Sequence, residues 1–250
     1  MEQEQYIRRI QLKREEIPVF DQYPFNLPCI KDLDVLQLHP HVTFIVGENG
    51  MGKSTLLEAI AISLGFNPEG GSLNFNFSTY NSHSNLENYL QVIKGIKRPK
   101  DGFFLRAESF YNVASNIQNL DNDPDARGPR VIDSFGGVSL HDQSHGEAFF
   151  ATFNNRFRGD GFYILDEPEA ALSPLRQLSM VARIHDLVRD NSQFIIATHS
   201  PIIMSYPSAK VFELAEEGIR ETKVEDTNHY RLMKQFFEDK NRVLHHLLED

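Results

Sequence analysis

The chain holds a single cysteine, Cys29, among 250 residues, so it can form no internal disulfide and no Cys-x-x-Cys zinc site. No apolar run approaches the ~18 residues of a membrane-spanning helix, and direct membrane insertion is not expected. Positive charge is scarce: 25 Lys and Arg stand against 35 Asp and Glu, a formal net charge of -10. That balance argues against a uniformly basic surface built for nucleic acid. The opening Met-Glu-Gln-Glu-Gln lacks the positive start of a signal peptide, and a reducing cytoplasm is the expected compartment. There is no internal repeat, no heptad run long enough for a coiled coil, and no zinc-finger, nuclease or DNA-recognition-helix pattern.

What remains is ordinary globular material, 24% charged and 40% hydrophobic, in a length that fits one large domain or two small ones. The expectation is one domain over 1–250 with an inserted helical and loop region at about 67–158. Tyr6–Lys13, Ile30–Leu38 and Phe103–Leu105 read as short strands. Val42–Val46, Phe162–Leu165 and Phe194–Ala197 are continuous apolar runs, as expected of strands buried on both faces. Leu73, Phe75 and Phe77 alternate and suggest an edge strand. Lys94, Lys97, Arg98 and Lys100 read as a solvated basic loop, and Asp121–Gly137, with two prolines and three glycines, as a mobile loop. Helices are expected from Lys53 to near Gly65, over Ser109–Leu120 and Gly146–Phe157, and through the tail from Thr227 with a break near Asp239. Leu175, Leu178, Val181, Ile184 and Val188 mark another over Pro174–Arg189. Val211–Leu214 and Ile219–Val224 flank a Glu-Glu-Gly turn as a hairpin. Strands alternating with helices predict an α/β fold with a largely parallel sheet.

Chemistry concentrates first in Gly47-Glu48-Asn49-Gly50-Met51-Gly52-Lys53-Ser54, a G-x-x-x-x-G-K-[ST] loop between a strand and a helix. Its glycines allow the backbone N–H groups of Gly47, Asn49, Gly50 and Gly52 to turn toward phosphates, and the helix start, with Thr55, adds its dipole. Lys53 suits the β- and γ-phosphates of ATP and Ser54 a magnesium ion. A second piece, Phe162-Tyr163-Ile164-Leu165-Asp166-Glu167, delivers two carboxylates at a strand end. Asp166 suits the Mg2+ shell, and Glu167 suits a general base that orients water. His199, after the next strand, suits a hydrogen bond to phosphate or water. Ser144, followed three residues on by Glu147, is a capping box, and the same helix start offers free N–H groups to an anion. His39, His41, His245 and His246 have no evident partner set for a metal.

In that order, phosphate loop, Ser144-His145-Gly146-Glu147, Asp166-Glu167-Pro168 and Thr198-His199, the chain resembles the ATP-binding-cassette (ABC) ATPase superfamily. It is closer to SMC-like and stand-alone AAA-family ATPases than to transporters. The resemblance spans roughly Val42 to Pro201. It implies a P-loop NTPase fold with a mostly parallel central sheet and an antiparallel β subdomain of ABC type. It also implies a head-to-tail homodimer, with each ATP held between the loop of one subunit and Ser144, Gly146 and Glu147 of the other.

Several positions depart from the family pattern. His145 replaces the first glycine of the Ser-Gly-Gly-Gln/Glu signature. No glutamine follows Phe103-Phe104-Leu105, where the chain reads Arg106-Ala107-Glu108, and Glu108 is the candidate for that role as a metal or water ligand. The segment Ala170-Ala171-Leu172-Ser173 lacks the usual Asp. The longest helix expected between Lys53 and Ser144, about 18 Å, leaves no SMC-type arms. Tyr23 or Phe25 is the candidate to stack on adenine. The expected function is Mg2+-dependent ATP hydrolysis driving nucleotide-gated dimerisation on a DNA or protein partner. The alternatives are the ATP-binding subunit of an ABC membrane transporter and a non-hydrolysing ATP sensor.

Overall fold

Val42–Val46 has no solvent-accessible residue of any consequence, and neither has Phe162–Leu165 or Phe194–Ala197. Strands covered on both faces need layers on both sides, and the computed structural model, which describes residues 5–73, 75, 84–125 and 127–248, supplies them. In chain order the elements are β1 (Ile7–Leu12), α1 (Pro28–Asp32), β2 (Val35–Gln37), β3 (Val42–Gly47), α2 (Lys53–Ser63), β4 (Leu90–Lys94), β5 (Asp101–Arg106), α3 (Phe110–Asp121) and α4 (His145–Arg156). Then come β6 (Gly161–Asp166), α5 (Pro174–Arg189), β7 (Gln193–Ala197), α6 (Pro201–Met204), β8 (Lys210–Ala215), β9 (Gly218–Thr222), α7 (Asn228–Glu238) and α8 (Lys240–Leu248).

The larger sheet has the order β5-β6-β7-β3-β8-β9, parallel throughout except for the antiparallel edge strand β9. The smaller one, β2-β1-β4, is antiparallel. Side chains alternate across the large sheet. Phe44, Phe103, Leu105, Tyr163 and Leu165 face a core shared with α3, α4 and α5. Ile45, Phe104, Phe162 and Ile164 face a second core shared with α2 and the small sheet. Each such large apolar side chain, fully buried, contributes about 1.5–3 kcal/mol relative to exposure. The α/β architecture with an added antiparallel sheet is as expected.

Several local expectations are corrected. The stretch Ile30–Leu38 divides into α1, opened by Pro28 at its first turn, and the short β2. Lys94 belongs to β4, a strand missed in the sequence, whose Val92 pairs with Ile10. The region 121–137 contains a 3-10 turn over Val131–Phe135, where Phe135 is buried. The Asp121 carboxylate accepts hydrogen bonds from the N–H groups of Val131 and Ile132. Of the proposed strand at 73–77, Phe77 lies outside the described residues, Leu73 is exposed in a turn, and Gly71 makes an antiparallel bridge to Phe104. Helix α5 has its expected bounds, but its buried face is Met180, Ile184 and Leu187, while Leu175 and Leu178 are 74% and 56% exposed. Repeated three-residue steps drift around a helix that turns about 100° per residue, so Leu175 ends up opposite Ile184. Among the described residues no helix is long and apolar enough to cross a membrane.

Candidate functional site

The parallel order brings the C-terminal ends of β5, β6, β7 and β3 side by side, the edge at which open α/β sheets bind ligands. At the end of β3 the chain turns through Gly47, Gly50 and Gly52, all at positive φ. Gly47 is required for a second reason: a Cβ there would sit 2.4 Å from the Leu214 carbonyl oxygen of β8. A Cβ on Gly52 would meet Cys29 Sγ at 2.9 Å, so the buried thiol packs directly beneath the loop. Burial pushes that thiol up to about 12. Glu48, Asn49 and Gly50 face solvent, and no side chain caps the start of α2. Its first N–H groups are therefore available to an anion.

Lys53 is only 4% exposed. Its Nζ donates to the Glu48 carbonyl oxygen at 3.1 Å and lies 4.0 Å from Glu167 Oε1. Burial lowers its pKa, while Glu167, Asp166, Glu169 and Glu48 act to raise it. Ser54 Oγ donates to Asp166 Oδ1 at 3.0 Å. Asp166 Oδ2 lies 3.3 Å from Arg106 Nε. Burial raises the Asp166 carboxyl to about 6, against the pull of Arg106 and Ser54.

Glu167 adopts the left-handed conformation, φ 49, which costs a residue with a Cβ about 1–2 kcal/mol. Its N–H donates to the Ala197 carbonyl at 3.0 Å, and its Oε1 lies 3.3 Å from His199 Nε2. Burial is the main cause of a lowered His199 pKa, aided by Lys53 and opposed by Glu167. A cavity of about 210 Å³ opens here, lined by Ser54, Glu108, His145, Asp166 and Glu167. The Glu108 side chain is 86% exposed and its Oε2 is 3.5 Å from Arg106 Nη2. Thr55 Oγ1 lies 3.2 Å from the Tyr23 hydroxyl. Tyr23 is 60% exposed beside the loop, whereas Phe25 is buried in the second core, edge-on to Tyr89. Of the two aromatics, only Tyr23 is free to meet a ligand.

Ser144 and Glu147 form the expected capping box at the start of α4. Glu147 Oε2 accepts from the Ser144 N–H at 3.1 Å and from its hydroxyl at 2.6 Å. A Cβ on Gly146 would lie 2.4 Å from the Ala171 carbonyl, so glycine lets α4 press against the turn that follows Glu167. Among the described residues, neither Ser144 nor Glu147 bonds to the phosphate loop or to Asp166–Glu167.

Three residues at the site escaped the sequence reading. Arg106 stands opposite Asp166 in the β5–β6 register and also binds Glu58 Oε2 at 2.7 Å, filling the place where a glutamine was sought. Glu169 accepts from Thr198 Oγ1 at 2.8 Å and from the His199 N–H, fixing the corner after β7. His229, at the start of α7, reaches His199 Nδ1 with its Nε2 at 3.0 Å. A charged residue closing an apolar strand was a signal for Arg106. Nothing local to His229, 30 residues beyond His199, marked it.

The donor set suits magnesium. Among the described residues no group of three or more His, Cys, Asp or Glu is placed to hold a metal. Magnesium, however, commonly takes one or two carboxylates and completes its shell with waters and phosphates. A buried carboxylate held near pKa 6 beside a hydroxyl is a group that a cation would stabilise.

Known proteins resemble the chain in the same terms. The AAA domain family matches residues 25–127, which include the phosphate loop. The cobalt import ATP-binding protein CbiO of Salmonella typhimurium is 27% identical over 207 residues, covering 78% of this chain and 74% of its own. The energy-coupling factor transporter ATP-binding protein EcfA2 of Methanospirillum hungatei is 22% identical over 206 residues, and the match takes in 51% of its length. The solved structure of cbiO1 from Clostridium perfringens superposes with a TM-score of 0.51 at 17% identity, covering 98% of this chain and all of that one. Motif order, strand order and these likenesses together give the chain the fold of P-loop ATPase domains and make it similar to ABC-type ATP-binding proteins.

Proposed function

We propose that the protein binds ATP with Mg2+ and hydrolyses it at the β3–β6–β7 edge, as a single ABC-type domain with an inserted region at about 67–158. One observation carries the reading: Lys53 Nζ and His199 Nε2 converge on the same carboxylate oxygen, Glu167 Oε1, at 4.0 and 3.3 Å. A cation, a neutral imidazole and a carboxylate at the mouth of a glycine loop form the set that phosphoryl transfer to water uses.

The N–H groups of Gly47, Asn49, Gly50 and Gly52 and the start of α2 take the phosphates, with Lys53 against the β- and γ-oxygens. Ser54 and Asp166, and Glu108 from the cavity rim, are the ligands offered to magnesium. When bound, the metal neutralises charge on the phosphates. Glu167 accepts a proton from water as its oxygen attacks the γ-phosphorus, and the β–γ bridging bond breaks to leave ADP and phosphate. His199 donates a hydrogen bond to the γ-phosphate and holds it in line. Tyr23 stacks on adenine. Ser144, Gly146 and Glu147 face the nucleotide of a second copy, so ATP joins two subunits head to tail and hydrolysis releases them to work on a DNA or protein partner in the cytoplasm.

The printed names of CbiO and EcfA2 favour a second reading, an ATP-binding subunit of a membrane transporter. Steady-state phosphate release with Mg-ATP tests hydrolysis. Turnover is expected in the wild type, with loss of nucleotide binding in Lys53→Ala. Undiminished ATP affinity in that variant would falsify the loop assignment. Co-purification with a membrane protein would select the transporter reading.

A further inference from the structure

His199 Nδ1 and His229 Nε2 lie 3.0 Å apart, and only one of two neutral rings can donate across that gap. On its far side His199 presents Nε2 to Glu167 Oε1 at 3.3 Å. Were the His199 proton on Nδ1, the bare lone pair of Nε2 would face a carboxylate, which is repulsive. If His229 donates from Nε2 instead, His199 accepts at Nδ1 and carries its N–H on Nε2, toward the carboxylate. Glu48 Oε1, 3.8 Å from His229 Nε2, favours a proton on the same nitrogen. Among the described residues His229 Nδ1 and His199 Nε2 are both buried without a hydrogen-bond partner, so the 3.3 Å approach of His199 Nε2 to Glu167 Oε1 is an electrostatic contact and not a formed hydrogen bond.

The start of α7 is built to hold this ring. Thr227 is fully buried and its Oγ1 accepts from the Tyr230 N–H at 3.3 Å, while the Asn228 N–H donates to Glu213 Oε1 at 2.9 Å. Glu213 is itself buried in β8, next to β3. The His229 side chain is 16% exposed, so bulk water does not set its orientation.

We propose that His229 is a positioning residue for hydrolysis: it donates from Nε2 to His199 Nδ1 and so fixes the His199 tautomer whose Nε2–H can be offered to a transferring phosphoryl group. The proposal rests on the ATPase reading above. It makes α7 part of the site, so that displacing this helix removes the donor to His199 Nδ1 together with the His229–Glu48 contact.

Full-length His229→Gln, His229→Glu and His229→Ala variants test it. Glutamine can still donate to Nδ1. Glutamate can only accept, and forces the His199 proton onto Nδ1. The expected result is a kcat lowered about 10–100-fold in His229→Glu, as for other partners that orient a working histidine. The KM for ATP should be unchanged, and most activity should be retained in His229→Gln. Long-range nitrogen–proton NMR correlations of the His199 ring at neutral pH read the tautomer directly: Nε2–H in the wild type, Nδ1–H in His229→Glu. A wild-type ring protonated on Nδ1, equal losses in all three variants, or a change in KM alone would overturn the proposal. A His199 ring that is Nε2–H in the wild type and Nδ1–H in His229→Glu, in a protein that releases no phosphate, would support the positioning and sink the ATPase reading instead.

Discussion

Ser54 Oγ donates a 3.0 Å hydrogen bond to Asp166 Oδ1, joining the first turn of α2 to the end of β6 across 112 positions of sequence. The bond ties the phosphate loop to the acidic strand end, and both oxygens are the ones proposed above as ligands for magnesium. Ser54→Ala removes a hydrogen bond to a charged group, an interaction contributing about 1.5–3 kcal/mol, and one of the proposed metal ligands. The expected outcome is ATP affinity that no longer responds to magnesium: titrations of a fluorescent nucleotide with the metal and with a chelator should coincide in the variant and differ in the wild type.

Glu167→Gln keeps the shape of the side chain and removes its capacity to take a proton. Hydrolysis should fall about 10²–10⁴-fold with ATP binding retained, and the variant should accumulate as a dimer at saturating ATP. Light scattering that shows only monomer under those conditions would end the sandwich arrangement while leaving the loop assignment intact.

Gly47 and Gly50 belong to one motif but answer to different constraints. A Cβ on Gly50 meets nothing within 4 Å, whereas one on Gly47 strikes the Leu214 carbonyl, its partner in the β3–β8 register. Gly50→Ala should therefore carry only the left-handed backbone cost, about 1–2 kcal/mol. Gly47→Ala should add overpacking of about 1–3 kcal/mol. Urea midpoints should fall further for Gly47→Ala, and equal midpoints would contradict the close approach.

Glu147 has a carboxyl held below the ordinary glutamate range, first by the Ser144 hydroxyl and then by the Ser144 N–H. A depressed pKa contributes stability that is present above the unfolded value, about 4.3 for glutamate, and is lost as pH falls through the folded one. The difference in Tm between wild type and Glu147→Gln should be level from neutral pH down to that value and close as the solution becomes more acidic. A gap that widens toward acid would contradict the capping box.

Tertiary packing explains why some readings from sequence needed correction. The five-residue stripe from Leu175 identified α5, and its later members Val181, Ile184 and Val188 meet the core while Leu175 and Leu178 stay exposed, because only the neighbouring layers say how far along a helix face is covered. Strand β4 carries Lys94 and exposed positions that pair with β1, a contact invisible without the partner strand. Asp121 reaches the N–H groups of residues 131 and 132, so a segment rich in prolines and glycines becomes a defined turn.

Sequence alone determined the phosphate loop, the apolar strands ending in Asp166–Glu167 and Ala197–His199, and the capping box of Ser144 and Glu147. Each rests on spacing within one segment, where backbone geometry and side-chain type suffice. The tertiary structure decided which charges meet: Arg106 with Asp166, Lys53 and His199 with one oxygen of Glu167, and His229 with His199. Those distances depend on the order β5-β6-β7-β3 and on where α7 returns to the sheet. Strand neighbours are chosen by the packing of whole layers, and no local pattern encodes them.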